Sequence, residues 1–206
     1  MRRRSHNRST PKQLSDRMGL ALQVAFDLHR DQFRKSSAVP YLSHLMGVAS
    51  LALRFGASED EAIAALLHDA IEDRGGQAAR SLLRALFGAK VTCIVDECTD
   101  TDITPKPPWR QRKESYVEHV HYASKSALLV SASDKLDNAR DILIDYKHMG
   151  EDVWKRFSGG REGTLWYYRA LVTAFSVAGA PPALVDELDT VVSEIERRVR
   201  EKDRRP

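Results

Sequence analysis

Apolar residues recur at three- and four-residue intervals through nearly the whole of this 206-residue chain, a spacing that packed helices bury and sheets do not. Leu14, Met18, Ala21, Leu22, Ala25 and Leu28 mark a first helical segment over 14–34. Leu45, Val48, Ala49 and Ala52 mark a second over 41–54, stopped by Gly56. Ser58 with Glu61 three residues later fits a capping box, which opens a helix over 59–73 ended by Gly75-Gly76. Two shorter apolar stretches, 77–87 and 89–98, flank Gly88. Residues 99–108, with Pro105, Pro107 and Pro108, read as an irregular loop. Helical patterns resume over 109–121, 125–147, 161–178 and 183–201. Only 91–95 has strand character, and a lone strand has nothing to pair with. An all-α fold in a single bundle is expected. A basic, disordered tail is expected at 1–12, a body at 13–180, and a C-terminal helix with a basic tail over 181–206.

The net charge of +3 is terminal in origin. Arg2, Arg3, Arg4, Arg8 and Lys12 fall within the first twelve residues, and the rest of the chain carries 27 basic against 29 acidic side chains. The body therefore offers no general attraction for nucleic acid, and the tail reads as a solvated arm. No apolar run approaches the roughly 18 residues that span a membrane. The basic N-terminus lacks the apolar core of a secretory signal. Cys93 and Cys98 cannot staple a domain of this size and do not form a CxxC pair. A cytoplasmic, reduced, globular protein is expected.

Chemistry concentrates in a few polar positions on the predicted helices. His44 lies in one, His68-Asp69 with Glu72-Asp73 closes another, and Asp134 with Asn138 and Arg140 occupies the long segment 125–147. His68 and Glu72 are four apart, as are Asp69 and Asp73, so in one helix the two pairs lie side by side. Three carboxylates that close repel one another unless a cation intervenes. His44, His68, Asp69 and Asp134 would supply two imidazoles and two carboxylates from three helices to a divalent ion inside a bundle. Mixed nitrogen and oxygen ligands suit Mn, Fe, Co, Ni or Zn better than Ca. Such an ion could activate water and polarise a phosphoryl oxygen. Each piece alone has a plainer reading: a core histidine, or a surface aspartate with Lys135 and Arg140 as solvated neighbours. The ordered set is what chance does not readily produce.

That ordered set resembles the HD-domain hydrolases of the RelA/SpoT class, in particular the small stand-alone alarmone hydrolases related to the metazoan SpoT homologue. The resemblance runs from about Ala21 to Ala170 and rests on Arg34-Lys35, Pro40-Tyr41-x-x-His44, Gly47-Val48-Ala49, Ala65-Leu66-Leu67-His68-Asp69-x-x-Glu72-Asp73, Phe87-Gly88 and Asp134-Lys-Leu-x-Asn138-x-Arg140. It implies a single HD-domain helical bundle, with His44, His68, Asp69 and Asp134 as ligands, usually of Mn²⁺. It implies that Glu72 and Asp73 position or deprotonate the attacking water, and that Asn138 lies near ribose and phosphates. Arg34 and Lys35 match the basic pair around the nucleotide, and Arg140 adds positive charge, with Lys106, Arg110, Arg112 and Lys113 in or after the Pro-rich loop. No synthetase region fits, so a monofunctional enzyme is implied. It would remove the 3′-pyrophosphate of guanosine tetra- or pentaphosphate, with this small nucleotide and no membrane as its partner.

Two departures bear on the substrate. Asp141 stands where family members commonly carry threonine, and an acid facing the site repels a phosphate. The loop Ser36-Ser37-Ala38-Val39 lacks the acid and glycine of common versions. An adenine counterpart, NADPH, or a nucleoside monophosphate cleaved to orthophosphate stays open, as does a non-catalytic nucleotide- or nucleic-acid-binding role using the basic ends. Tyr167 and Tyr168 fit either a base contact or the core.

Overall fold

The computed structural model describes residues 13–35, 37–101 and 105–204, and the expected basic arm at 1–12 lies outside them. The helical spacing appears as α1 (Asp16–His29), α2 (Leu42–Arg54), α3 (Glu59–Leu67), α4 (Ala70–Asp73), α5 (Gln77–Cys98), α6 (Trp109–Val120) and α7 (Lys125–Met149). A 3₁₀ turn (Gly150–Arg156), α8 (Gly160–Ala178) and α9 (Pro182–Asp203) complete it. The fold is all-α; among the described residues, extended pairing is limited to a single bridge between Phe33 and Pro40. Residues 91–95 are helical. None of the described helices is long and apolar enough to cross a membrane.

Side chains set several helix starts. Ser15 caps α1, Ser58 and Glu61 form the reciprocal box on α3, and the Ser124 hydroxyl accepts from the Ala127 N–H at the start of α7. Gly88, at φ 86°, divides α5 into the two apolar stretches seen in the sequence. The segment 14–34 is helical only to His29, and a turn over 30–35 and 37–41 precedes α2. In that turn the Arg34 N–H donates to the Val39 carbonyl and the Tyr41 N–H to the Gln32 carbonyl.

The expected single helix over 59–73 is interrupted. It stops at Leu67 and resumes at Ala70, with Asp69 at φ −94°, ψ −1°. Apolar periodicity does not register such a break, because both sides of it keep the helical phase.

α7 is the central element, packing against α2, α3, α5, α8 and α9. Residues Ala127 to Asp134 are buried without interruption, and α9 lays Leu184, Leu188, Val192 and Ile195 into the same core. Leu188 is fully buried. Leu188→Ala is expected to destabilise the fold by about 2–5 kcal/mol, read as a lowered urea midpoint. A midpoint equal to that of the unsubstituted protein would mean that α9 does not share the core's cooperativity.

Candidate metal centre and active-site cleft

The site forms where α2, the α3–α4 break and α7 meet. His44 comes from α2, His68 and Asp69 from the break, and Asp134 from α7. Ligand atoms of His44, His68 and Asp134 all lie within 4.8 Å of one another, and all three residues are buried. His44 Nε2 is 3.2 Å and His68 Nε2 3.6 Å from Asp134 Oδ1. Asp69 Oδ2 is 3.0 Å from His68 Nε2 and 3.8 Å from His44 Nε2.

The histidine protons are fixed by their other nitrogens. His68 Nδ1 faces the Ala65 carbonyl at 2.9 Å. A carbonyl only accepts, so Nδ1 carries the proton and the neutral ring presents a lone pair at Nε2. His44 Nδ1 donates to Asp137 Oδ2 at 2.7 Å, leaving its Nε2 facing the same point. His68 Nε2 is buried without a hydrogen-bond partner. Nitrogen and oxygen ligands held about 2.1 Å from one ion stand roughly 3.0–3.5 Å apart in tetrahedral or octahedral arrangements. The 3.0 and 3.2 Å spacings fall in that range, those of 3.6 and 3.8 Å lie just beyond it, and with the unpartnered nitrogen they fit a divalent ion that draws the group slightly together.

Electrostatics favour positive charge at this point. Burial alone lowers the His68 pKa, but the carboxylates of Asp69 and Asp134 outweigh it and hold it well above the ordinary value. His44 is raised in the same way, with burial opposed by Asp134 and Asp137. Both ligand carboxylates stay below their usual range despite burial, Asp69 chiefly through His68 and Asp134 chiefly through Lys135.

A cleft of about 700 Å³ adjoins the cluster, lined in part by Arg34, Lys35, Glu72, Asp73, Asn138 and Asp141. Tyr41 and Asn138 join cleft to cluster, because both line the cleft while donating to Asp69 Oδ2 and Asp134 Oδ1 respectively. Past the break each carboxylate of this stretch has its own partner: Asp69 faces the histidines, Glu72 takes Lys106 Nζ at 2.7 Å, and Asp73 accepts from Gln32 Nε2 at 2.8 Å.

The sequence model of the HD domain matches residues 21–165, most of the chain. The chain belongs to the HD-domain family. Among curated relatives, the guanosine-3′,5′-bis(diphosphate) 3′-pyrophosphohydrolase MESH1 of Xenopus tropicalis is 38% identical over 125 residues, which are 59% of this chain and 67% of the relative. The enzyme of the same name from Drosophila melanogaster is 35% identical over 127 residues, covering 60% and 68%. A solved structure described as a metazoan ortholog of SpoT that hydrolyses ppGpp superposes with a TM-score of 0.74 at 27% identity, covering 93% of this chain and 99% of that one. A Listeria monocytogenes crystal structure gives 0.66 at 28% identity, covering 75% and 99%.

Within this HD domain, Arg140 is the expected substrate residue that the fold carries elsewhere. Its guanidinium pairs with Glu187 of α9 at 3.2 Å and is not part of the cleft lining. Arg112 and Lys113 are spent on the carboxylate of Asp100, and Arg110 lies over the Trp166 ring. Arg34 does face the cleft, where its Nη2 donates to Asn138 Oδ1 at 2.9 Å and to Asp141 Oδ2 at 2.6 Å. Asp141 thus opposes Arg34 inside the cleft. Tyr168 lines the cleft, whereas Tyr167 is buried against Trp109.

Sequence reading missed Tyr41, Lys135 and Asp137 at this centre. Lys135 is no solvated neighbour: its side chain is 15% exposed and its Nζ lies 2.5 Å from Asp134 Oδ2. The available signal was the uncharged run of residues 126–133, which marks a helix buried all round and so buries the charges that follow it.

Proposed function

We propose that this chain is a metal-dependent phosphohydrolase that removes the 3′-pyrophosphate of guanosine tetra- or pentaphosphate, leaving GDP or GTP and releasing pyrophosphate. The observation that carries the reading is the buried cluster of His44, His68 and Asp134, with the half-buried carboxylate of Asp69 against it, beside a cleft with Glu72 and Asp73 among its walls and Arg34 and Lys35 at its edge. The names of its relatives from Xenopus tropicalis and Drosophila melanogaster support the same chemistry. His44, His68, Asp69 and Asp134 would hold a divalent ion that takes mixed nitrogen and oxygen ligands, and the resemblance to the alarmone hydrolases implies Mn²⁺. When bound, the ion supplies Lewis acidity toward a phosphoryl oxygen and toward water.

The chain's own residues do the rest. Glu72 or Asp73 accepts the proton of the attacking water, as general bases held at the cleft wall. Asn138, already tied to Asp134, orients the ribose and phosphate end. Arg34 is offset in charge by Asp141, so it offers chiefly its guanidinium plane to a base, while exposed Lys35 meets phosphate charge. A reducing cytoplasmic setting accords with the free cysteines Cys93 and Cys98.

Arg34→Ala is expected to raise KM roughly 2–30-fold, the worth of a guanidinium lying on an aromatic base, with kcat largely retained. Steady-state kinetics checks this, and an unchanged KM removes Arg34 as a contact. The reading itself is tested by incubating Mn²⁺-loaded protein with guanosine tetraphosphate and quantifying nucleotide, pyrophosphate and orthophosphate. GDP with equal pyrophosphate, lost on chelation, supports it. Orthophosphate as first product would change the reaction class, and absence of turnover would turn the search to adenine alarmones and NADPH.

A further inference from the structure

The His44 ring is gripped at both nitrogens by one face of α7. Its Nε2 lies 3.2 Å from Asp134 and its Nδ1 2.7 Å from Asp137, residues three apart on that helix. The imidazole is 1% exposed, so the Nδ1 bond to a carboxylate is made in a poorly solvated setting where such a bond is strong and directional.

A second observation shows that this carboxylate is seated on purpose. A Cβ built on Gly47 would stand 2.4 Å from Asp137 Oδ1 and 3.1 Å from its Cγ. Gly47 is inside α2, three residues after His44, and has no left-handed backbone to explain a glycine. Close approach explains it: the missing side chain makes the room that Asp137 occupies.

We propose that Asp137 is a positioning residue for the metal centre. It holds the proton on His44 Nδ1 and fixes the ring plane, so that the Nε2 lone pair is aimed at the ion, and Gly47 provides its seat. Carboxylates behind ligating histidines have this effect on ligand orientation and basicity. The inference rests on the metal reading given above.

The test titrates Mn²⁺ into chelator-treated wild-type, Asp137→Leu, Asp137→Asn and Gly47→Ala proteins, following free Mn²⁺ by its electron paramagnetic resonance signal. Circular dichroism and melting in chelator report the fold separately. Asp137→Leu is expected to weaken Mn²⁺ binding about 10–100-fold. Asp137→Asn should recover most of the affinity, because its amide oxygen still accepts from Nδ1. Gly47→Ala should lose affinity with Asp137 itself intact, and it carries the test with Asp137→Asn if the leucine variant fails to fold.

Wild-type affinity in Asp137→Leu or in Gly47→Ala overturns the inference. So does an Asp137→Asn affinity as poor as that of leucine, with matching losses in melting temperature, which would make Asp137 a packing residue. Wild-type protein that folds but takes up no Mn²⁺ overturns the metal reading first, and the inference with it.

Discussion

Asp134→Ala is expected to leave a protein that takes up no Mn²⁺ and has no turnover above background. Asp134 Oδ1 lies within 3.6 Å of both His44 and His68 Nε2, so its removal takes away an atom that ties the two imidazoles into one site. A stability loss should accompany the functional loss. Asp134 Oδ2 is the partner of Lys135 Nζ, and both side chains are largely buried, at 8% and 15% exposure. Breaking a buried pair by deleting one member costs about 3–5 kcal/mol. The two consequences separate by experiment. Metal analysis reads the first, and denaturant unfolding in chelator reads the second. His68→Ala should reproduce the metal loss without stranding Lys135. Equal unfolding midpoints for Asp134→Ala and His68→Ala would mean that Lys135 finds another partner, and full Mn²⁺ uptake by either variant would dismantle the proposed ligand set.

The contrast between Asp134 and its neighbours shows what the sequence could and could not convey. Helical phase was legible because it is repeated: Ser58 and Glu61 cap where their spacing says, Gly88 divides α5, and the bundle's core follows the apolar positions. His44, His68, Asp69 and Asp134 stood out as an ordered set, and the structure brings ligand atoms of His44, His68 and Asp134 within 4.8 Å of one another with Asp69 beside them. Direction was not legible. Arg140 and Arg34 are both basic residues beside the motif, yet one reaches α9 and the other the cleft, a choice made by tertiary packing. Glu72 and Asp73 read as sharing the charge of Asp69, yet each has a partner of its own, Lys106 and Gln32, that helical spacing does not name. Asp137 reads as one more polar residue on a long helix until the ring of His44, 93 residues earlier, is placed against it.

Glu72→Gln is expected to keep the metal and lose most turnover, about 10²–10⁴-fold if the carboxylate acts as general base. None of the four proposed ligands touches Glu72. Its oxygens instead take Lys106 Nζ at 2.7 Å and the Asp100 N–H at 3.2 Å. That geometry creates a competing explanation for any loss, since the same carboxylate holds Asp100 and Lys106 at the cleft wall. Glutamine keeps an oxygen that can accept from Asp100, yet as a neutral amide it forms no ion pair with the Lys106 ammonium, so both the base and the anchor are weakened. Lys106→Met separates them, because it releases the anchor while leaving the carboxylate free to take a proton. If Glu72 is the base, Lys106→Met changes turnover little beside Glu72→Gln. Equal losses in the two variants would assign Glu72 to holding the loop and move the proton transfer to Asp73, whose own partner is the neutral amide of Gln32.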